Sequence, residues 1–199
     1  MRHPIRTLKR QWKLVVSVGL VVALLSVGVS LLFPLQYRAD AQVLIISKTR
    51  TGVDPYTTVK SAERVGENLA AVIETSDFYE KVRAQSGFAV DWSTFDSRSE
   101  RKRRKLWTKT IDASVSYGRA ILNISAYSRH GAEATQIAGA AARSLVEQGW
   151  EYVGGDVTIK VVNSPVVTKW PARPNFVANA LFGFFAGMFV MSLAILRRF

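Results

Sequence analysis

The stretches LVVSVGLVVALLSVGVSLLF, Leu14 to Phe33, and FVANALFGFFAGMFVMSLAIL, Phe176 to Leu196, decide the fold. They run for twenty and twenty-one residues without a charge. At about 1.5 Å rise per residue each makes a helix of roughly 30 Å, the thickness of a bilayer's hydrocarbon core. Helices buried in soluble cores are usually shorter and keep a polar face. Both stretches are therefore read as membrane spans, which puts Pro34 to Asn175 together on one side of the membrane.

Basic residues orient the spans. Arg2, Arg6, Lys9, Arg10 and Lys13 precede the first, Arg197 and Arg198 follow the second, and no acidic residue occurs before Asp40. Lys and Arg near span ends mark the cytoplasmic side, so both termini are expected in the cytoplasm and the central segment outside it. Trp12, Tyr37 and Trp170 stand where interfacial aromatics anchor spans. The tips carry +7 and the central segment +5 of the total charge of +12. Most of the basic excess is thus a topology signal, and it does not argue for nucleic acid. Ala39-Asp40-Ala41 offers a signal-peptidase pattern, but the apolar stretch exceeds the roughly 7–15 residues of a signal sequence, so it is read as a retained span. The chain has no cysteine, which removes disulfides, zinc–thiolate sites and thiol catalysis.

The 142 residues between the spans suffice for one domain with its own core. Tyr37, Ala39, Ala41, Val43 and Ile45 alternate with other residues, which predicts a strand over Tyr37–Ser47. Asp54-Pro55 opens a helix over Tyr56–Glu74, and Thr75-Ser76-Asp77 caps a shorter one, Phe78 to Gln85, ended by Gly87. A third helix is expected over Ser97–Lys109. Ile111 to Ser116 and Ala120 to Ala126 alternate on either side of Tyr117-Gly118-Arg119 and read as a hairpin. Ala134, Ile137, Ala138, Ala141, Leu145 and Tyr152 form a stripe on a helix over Ala132–Val153, ended by Gly154-Gly155. A last strand, Val157 to Asn163, returns toward the second span and, if adjacent to the first strand, pairs with it antiparallel.

The expected fold class is α+β: two transmembrane helices flanking one compact extracytoplasmic α/β domain, with a mainly antiparallel, membrane-proximal sheet and packed helices. The expected organisation is a basic cytoplasmic N-terminus at 1–13, spans at 14–33 and 176–196, the extracytoplasmic domain at 34–163, a proline-rich strut at 164–175 and a cytoplasmic tail at 197–199. Pro165, Pro171 and Pro174 fix φ and lack a donor, so the strut is expected to leave the sheet. It reads either as a plain linker or as a stiff coupling between domain and second span. Gly183 and Gly187 form a G-x-x-x-G pattern that lets helices approach closely. The partner is either the first span, with small residues at Gly19 to Ala23 and Ser26 to Ser30, or another protomer.

Three stretches resemble the chain-length-determinant (Wzz-type) polysaccharide co-polymerase family, in its short form without a kinase domain. Tyr37-Arg38-Ala39-Asp40-Ala41-Gln42-Val43 is similar to its Tyr-x-Ala-x-Ala strand after the first span. Ala120-Ile121-Leu122-Asn123-Ile124-Ser125, followed by the helix Ala132–Tyr152, is similar to its strand-then-helix core. Asn163-Ser164-Pro165, Pro171 and Pro174 before a glycine-bearing span resemble its proline-rich signature. Arg129-His130-Gly131 stands where the family often has an acidic-Pro pair, and the domain has no room for long protruding helices. The compact capsule or exopolysaccharide type is therefore favoured over the larger O-antigen regulators. The resemblance implies a non-enzymatic, homo-oligomeric regulator of polysaccharide chain length, polymerisation and export, ring-forming beside an integral-membrane polymerase in the bacterial inner membrane. Some short relatives activate a separate cytoplasmic tyrosine kinase through their tail, whereas Arg197-Arg198-Phe199 contains no tyrosine. In the alternative reading of this chain as a kinase activator, docking would use the N-terminal basic segment or the inner ends of the spans.

The chemistry points the same way. There is no phosphate-binding G-x-x-x-x-G-K-[ST] loop and no G-x-S-x-G elbow, and the histidines are His3 and His130 alone. No catalytic, cofactor or metal residue is assigned. Glu63 and Glu67, one turn apart, are expected to face solvent. Arg101, Lys102, Arg103, Arg104 and Lys105 read either as a solvated or lipid-facing helix face, or as a contact for a polyanion, an acidic glycan or its lipid-linked diphosphate carrier. A membrane-tethered ligand-binding domain is the rival function, and its mark would be a pocket in the monomer.

Overall fold

The alternating segment Tyr37–Ser47 forms strand β1, whose inward residues Ala39, Ala41, Val43 and Ile45 are buried. The protein is seen here as a computed structural model that describes residues 10–47, 54–154 and 157–197. Arg2, His3, Arg6, Lys9, Gly155, Arg198 and Phe199 lie outside the described residues. Two units separate, an α/β unit over Gln36–Pro171 and a helical unit from the segments up to Leu35 and from Ala172.

In the α/β unit, β1 is followed by helices α2 (Pro55–Ile73), α3 (Ser76–Arg83), α4 (Ser93–Asp96) and α5 (Glu100–Thr110). The hairpin β2 (Ile111–Ser116) and β3 (Ile121–Ser128), helices α6 (Gly131–Gln148) and α7 (Trp150–Val153) and strand β4 (Val157–Val167) complete it. The four strands lie in the order β2-β3-β1-β4, antiparallel throughout. The pairing of β1 with β4 is the one expected of a strand that leaves a surface and another that returns to it.

Helices α2 and α6 cover one face of the sheet. Small residues set how closely they lie. Ala39, Ala41 and Ala126 on the sheet meet a helix α6 whose Ala134, Ala138 and Ala141 are fully buried beside Ile137 and Leu145. On α2, a Cβ at Gly66 would stand 2.9 Å from Ile45 Cδ1 and 3.0 Å from Val115 Cγ2, so this glycine permits the approach. Asp54 caps α2 by accepting from the amides of Tyr56 and Thr57 at 3.2 and 3.0 Å, bonds that lower its pKa, the Thr57 amide most. Thr75 caps α3 through the Phe78 amide at 3.2 Å.

Three boundaries differ from expectation. The helix expected from Ser97 begins at Glu100, after the separate turn α4. The cause is an aromatic cluster: Trp92 and Phe95 pack on Tyr79 at centroid distances of 5.5 and 5.6 Å, and Trp107 of α5 closes it at 5.3 Å. Trp107 Nε1 donates to Ile73 O at 2.8 Å, tying α5 to the end of α2. The long helix after β3 is interrupted at Gly149, where a Cβ would collide with Leu145 O and stand 2.6 Å from Ile159 Cδ1 of β4.

The third difference corrects the proline strut. Strand β4 continues through Pro165 to Val167. It is an edge strand, and its register with β1 shifts between Gln42, opposite Asn163, and Asp40, opposite Val166. Ser164 and Pro165 thus share the space facing Ala41, a bulge in which the missing proline N–H costs the ladder nothing. Pairing resumes beyond it, with Thr168 N donating to Arg38 O at 2.8 Å.

The helical unit consists of α1 (Trp12–Ser30) and α8 (Phe176–Arg197). Both are long and apolar enough to cross a bilayer, and only 17% of each apolar window is buried. That exposure is opposite to what a soluble core helix shows. They run antiparallel: Gly19 lies by Met188, Val22 by Gly187 and Ser26 by Gly183.

Candidate functional site

The small residues of the two apolar helices meet in one seam. A Cβ on Gly183 would stand 2.8 Å from Ser26 Cβ and 3.1 Å from Ala23 Cα. One on Gly187 would stand 2.9 Å from Val22 Cβ and 3.0 Å from Gly19 Cα. The partner of the G-x-x-x-G face in this structure is the chain's own first apolar helix. Ser26 and Ser30, read from the sequence only as small residues, and Asn179, which that reading passed over, clasp one end of the seam. Ser26 Oγ donates to Asn179 O at 2.9 Å, Asn179 Nδ2 donates to Ser30 Oγ at 2.7 Å, and Ser30 Oγ donates to Ser26 O at 2.8 Å. Asn179 is a lone amide in an apolar run, and that rarity in a span is the signal that could have found it.

The three prolines do not share one setting. Pro165 is a half-buried strand residue against α6, its Cγ 3.5 Å from where a Gly139 Cβ would be. Pro171 ends the α/β unit, and Pro174 belongs to the helical unit, following a cis peptide bond from Arg173.

The basic run on α5 divides by helical geometry. Arg103 turns inward, pairs with Glu80 at 3.2 Å and lies 5.4 Å from the centroid of Tyr79. Arg104 reaches Ser76 Oγ at 3.1 Å and Glu100 at 4.0 Å. These two bind α5 to α3 and to its own first turn. Arg101, Lys102 and Lys105 point outward, exposed, with no side-chain partner among the described residues.

A groove that the sequence reading did not assign lies between α2 and the β2–β3 turn. It is lined by Thr57, Lys60, Ser61, Arg64 and Glu67 along one face of α2, with Glu63 beneath and Tyr117 opposite. Glu63 corrects the expectation of a solvent-facing carboxylate, being only 5% exposed. Its Oε2 accepts from Lys60 Nζ at 2.8 Å and its Oε1 from the Gly118 amide at 3.2 Å. Lys60, then the Gly118 N–H, hold its pKa below the ordinary value, and the Lys60 pKa rises in turn. Glu67 faces solvent as expected.

The sheet face opposite α2 and α6 carries a polar row drawn from all four strands, three amides ending on a serine. Asn163 donates to Gln42 Oε1 at 2.5 Å, Gln42 to Asn123 Oδ1 at 2.6 Å, and Asn123 to Ser116 Oγ at 2.9 Å. Beside it, Asp40 takes Ser125 Oγ at 2.6 Å and Arg38 Nε at 3.0 Å. Asn123-Ile124-Ser125, which matches the Asn-x-Ser glycosylation pattern, lies in this row, inside a strand.

Residues 3–86 match the family model of the chain length determinant protein, Wzz. The match supports the Wzz-type, chain-length-determinant family for this chain. The described part of that stretch contains α1, β1, α2 and α3, so the first apolar helix, the central strand and the helix carrying Glu63 all fall within the matched Wzz segment. No curated protein matches the chain significantly.

Proposed function

We propose that the chain is a non-enzymatic membrane regulator of polysaccharide chain length, polymerisation and export, acting as a homo-oligomer beside an integral-membrane polymerase. The observation that carries this reading is the chain-length-determinant match over residues 3–86. Two further features support it. The apolar helices near the two ends suit a double membrane anchor, and the basic residues flanking them favour cytoplasmic termini with Gln36–Pro171 on the far side. Arg101, Lys102 and Lys105, outward and without a side-chain partner among the described residues, suit contact with an acidic glycan or a lipid-linked diphosphate. In this reading β4 and the prolines after it couple the arrangement of the α/β unit to the second span.

The test is deletion in the native host, with the surface polysaccharide resolved by length on a gel. Loss of the normal length distribution, restored by the chain supplied from a plasmid, is the expected result. An unchanged distribution and amount would remove the proposal. The groove on α2 favours a second reading, a tethered ligand-binding domain outside glycan synthesis. That reading predicts no glycan phenotype and a monomer in nanodiscs, whereas the first predicts an oligomer.

A further inference from the structure

We propose that the groove between α2 and the β2–β3 turn binds one neutral sugar residue of a glycan, with Tyr117 as its stacking platform; this rests on the polysaccharide reading above. The groove has a volume of about 520 Å³, within the roughly 300–1,000 Å³ of small-ligand sites. Tyr117 is 84% exposed, a large ring with the Lys60 ammonium over one face and the rest of its surface open. It is nevertheless held in place. The Lys60 ammonium lies 4.3 Å from its ring centroid and is itself fixed by Glu63 at 2.8 Å. Glu63 also takes the Gly118 amide, so the buried carboxylate pins both the cation and the turn.

The turn is anchored a second time. Gly118 has φ +71°, and Ala120 has φ +51°, a left-handed conformation uncommon outside glycine. The Ala120 carbonyl accepts from Ile45 N of β1 at 3.0 Å, which ties this bend to the central strand. The hairpin therefore presents its aromatic ring from a fixed backbone.

The polar groups lining the groove select the ligand class. Lys60 and Arg64 are balanced by Glu63 and Glu67, so the site has no net charge to attract a phosphate or a carboxylate. Ser61, Arg64 and Glu67 have no side-chain partner among the described residues. A guanidinium offers only donors and a carboxylate only acceptors. A pyranose ring presents an apolar C–H face and adjacent hydroxyls that donate and accept at once. Tyr117 suits the first, and Arg64 with Glu67, one turn apart on α2, suits the second.

The test uses the full chain in lipid nanodiscs and saturation-transfer NMR. The probes are neutral hexasaccharides of glucose, galactose, mannose and N-acetylglucosamine, with glucose 1-phosphate as the anionic control. At least one hexasaccharide is expected to receive saturation at its ring C–H protons. Tyr117→Ala should weaken that binding about tenfold or more, while Tyr117→Phe, which keeps the ring, should retain it. Because the side chain is exposed, neither change disturbs the core. Binding by none of the hexasaccharides, binding undiminished in Tyr117→Ala, or binding of the phosphorylated sugar alone would overturn the proposal. If deletion of the chain alters the host glycan while no hexasaccharide binds, this inference falls and the polysaccharide reading stands. If deletion alters nothing, the polysaccharide reading itself falls.

Discussion

Replacing Gly183 by isoleucine should pry the two apolar helices apart. A Cβ there would stand 2.8 Å from Ser26 Cβ, 3.0 Å from Val22 O and 3.1 Å from Ala23 Cα. Carbon atoms rest at about 3.5–4.0 Å, so even the first added atom needs most of an ångström of separation, and two of its three neighbours are backbone. Forcing extra carbons into a filled seam costs about 1–3 kcal/mol, which lowers the equilibrium constant for pairing by about fivefold to more than a hundredfold. Gly183→Ala should fall between the parent and Gly183→Ile. The absence of cysteine makes the assay clean, because Ser30→Cys with Asn179→Cys introduces the sole thiol pair at side chains that now meet at 2.7 Å. Mild oxidation in nanodiscs should join that pair within one chain, and at least several-fold more slowly in the Gly183→Ile background. Equal rates in the two backgrounds, or cross-links formed only between chains, would refute this account of the seam.

Other changes test other parts. Glu63 has a depressed pKa in the folded protein, so its contribution to stability is present above the ordinary carboxylate range and fades as pH falls through the lowered value. Glu63→Gln should melt earlier than the parent near neutral pH and lose less on acidification from about pH 6 to about pH 3; an identical acid response in both would contradict the pinning role. Tyr79 is buried, and its hydroxyl has no hydrogen-bond partner among the described residues, so Tyr79→Phe should leave the melting temperature unchanged or raise it, by the equivalent of up to about 1 kcal/mol. A clear loss would mean that the hydroxyl has a role the packing does not reveal. The proposed polyanion contact predicts salt-sensitive binding of hyaluronan fragments and pyrophosphate that is lost when Arg101, Lys102 and Lys105 are reversed to glutamate, and binding unchanged by that reversal would contradict it. Reversing Arg103 should instead loosen α5 from α3 and lower thermal stability.

Period-two and helical spacings carried most of the α/β unit. Ala39 to Ile45, Leu122 to Ala126, and Ala134 to Leu145 are buried on the faces their alternation and stripe predict, because burial on one side is what produces such patterns. Capping chemistry at Asp54 and Thr75 was equally legible, since those oxygens act within three residues of chain. What escaped depends on neighbours distant in sequence. Pro165 breaks a strand in isolation, yet an edge position and a register shift against Gln42 accommodate it. At the break at Gly149, Ile159 of β4 lies too close for any side chain, and α4 exists because Trp92 and Phe95 reach Tyr79. Glu63 looked like a surface carboxylate by helical spacing. Its burial follows from the turn at Gly118, 55 residues later, which no local pattern contains. The basic run read as one feature, but helical rotation gives Arg103 to α3 and leaves Arg101, Lys102 and Lys105 outward.

The central claim is a double-anchored chain with both ends in the cytoplasm and the sheet-bearing unit outside it. Reporters that work only on one side of the membrane test it directly, fused in turn before Met1, after Phe199 and within the Tyr117-Gly118-Arg119 turn. The account predicts cytoplasmic signal from both terminal fusions and external signal from the turn. External signal at either terminus, or cytoplasmic signal at the turn, would contradict it.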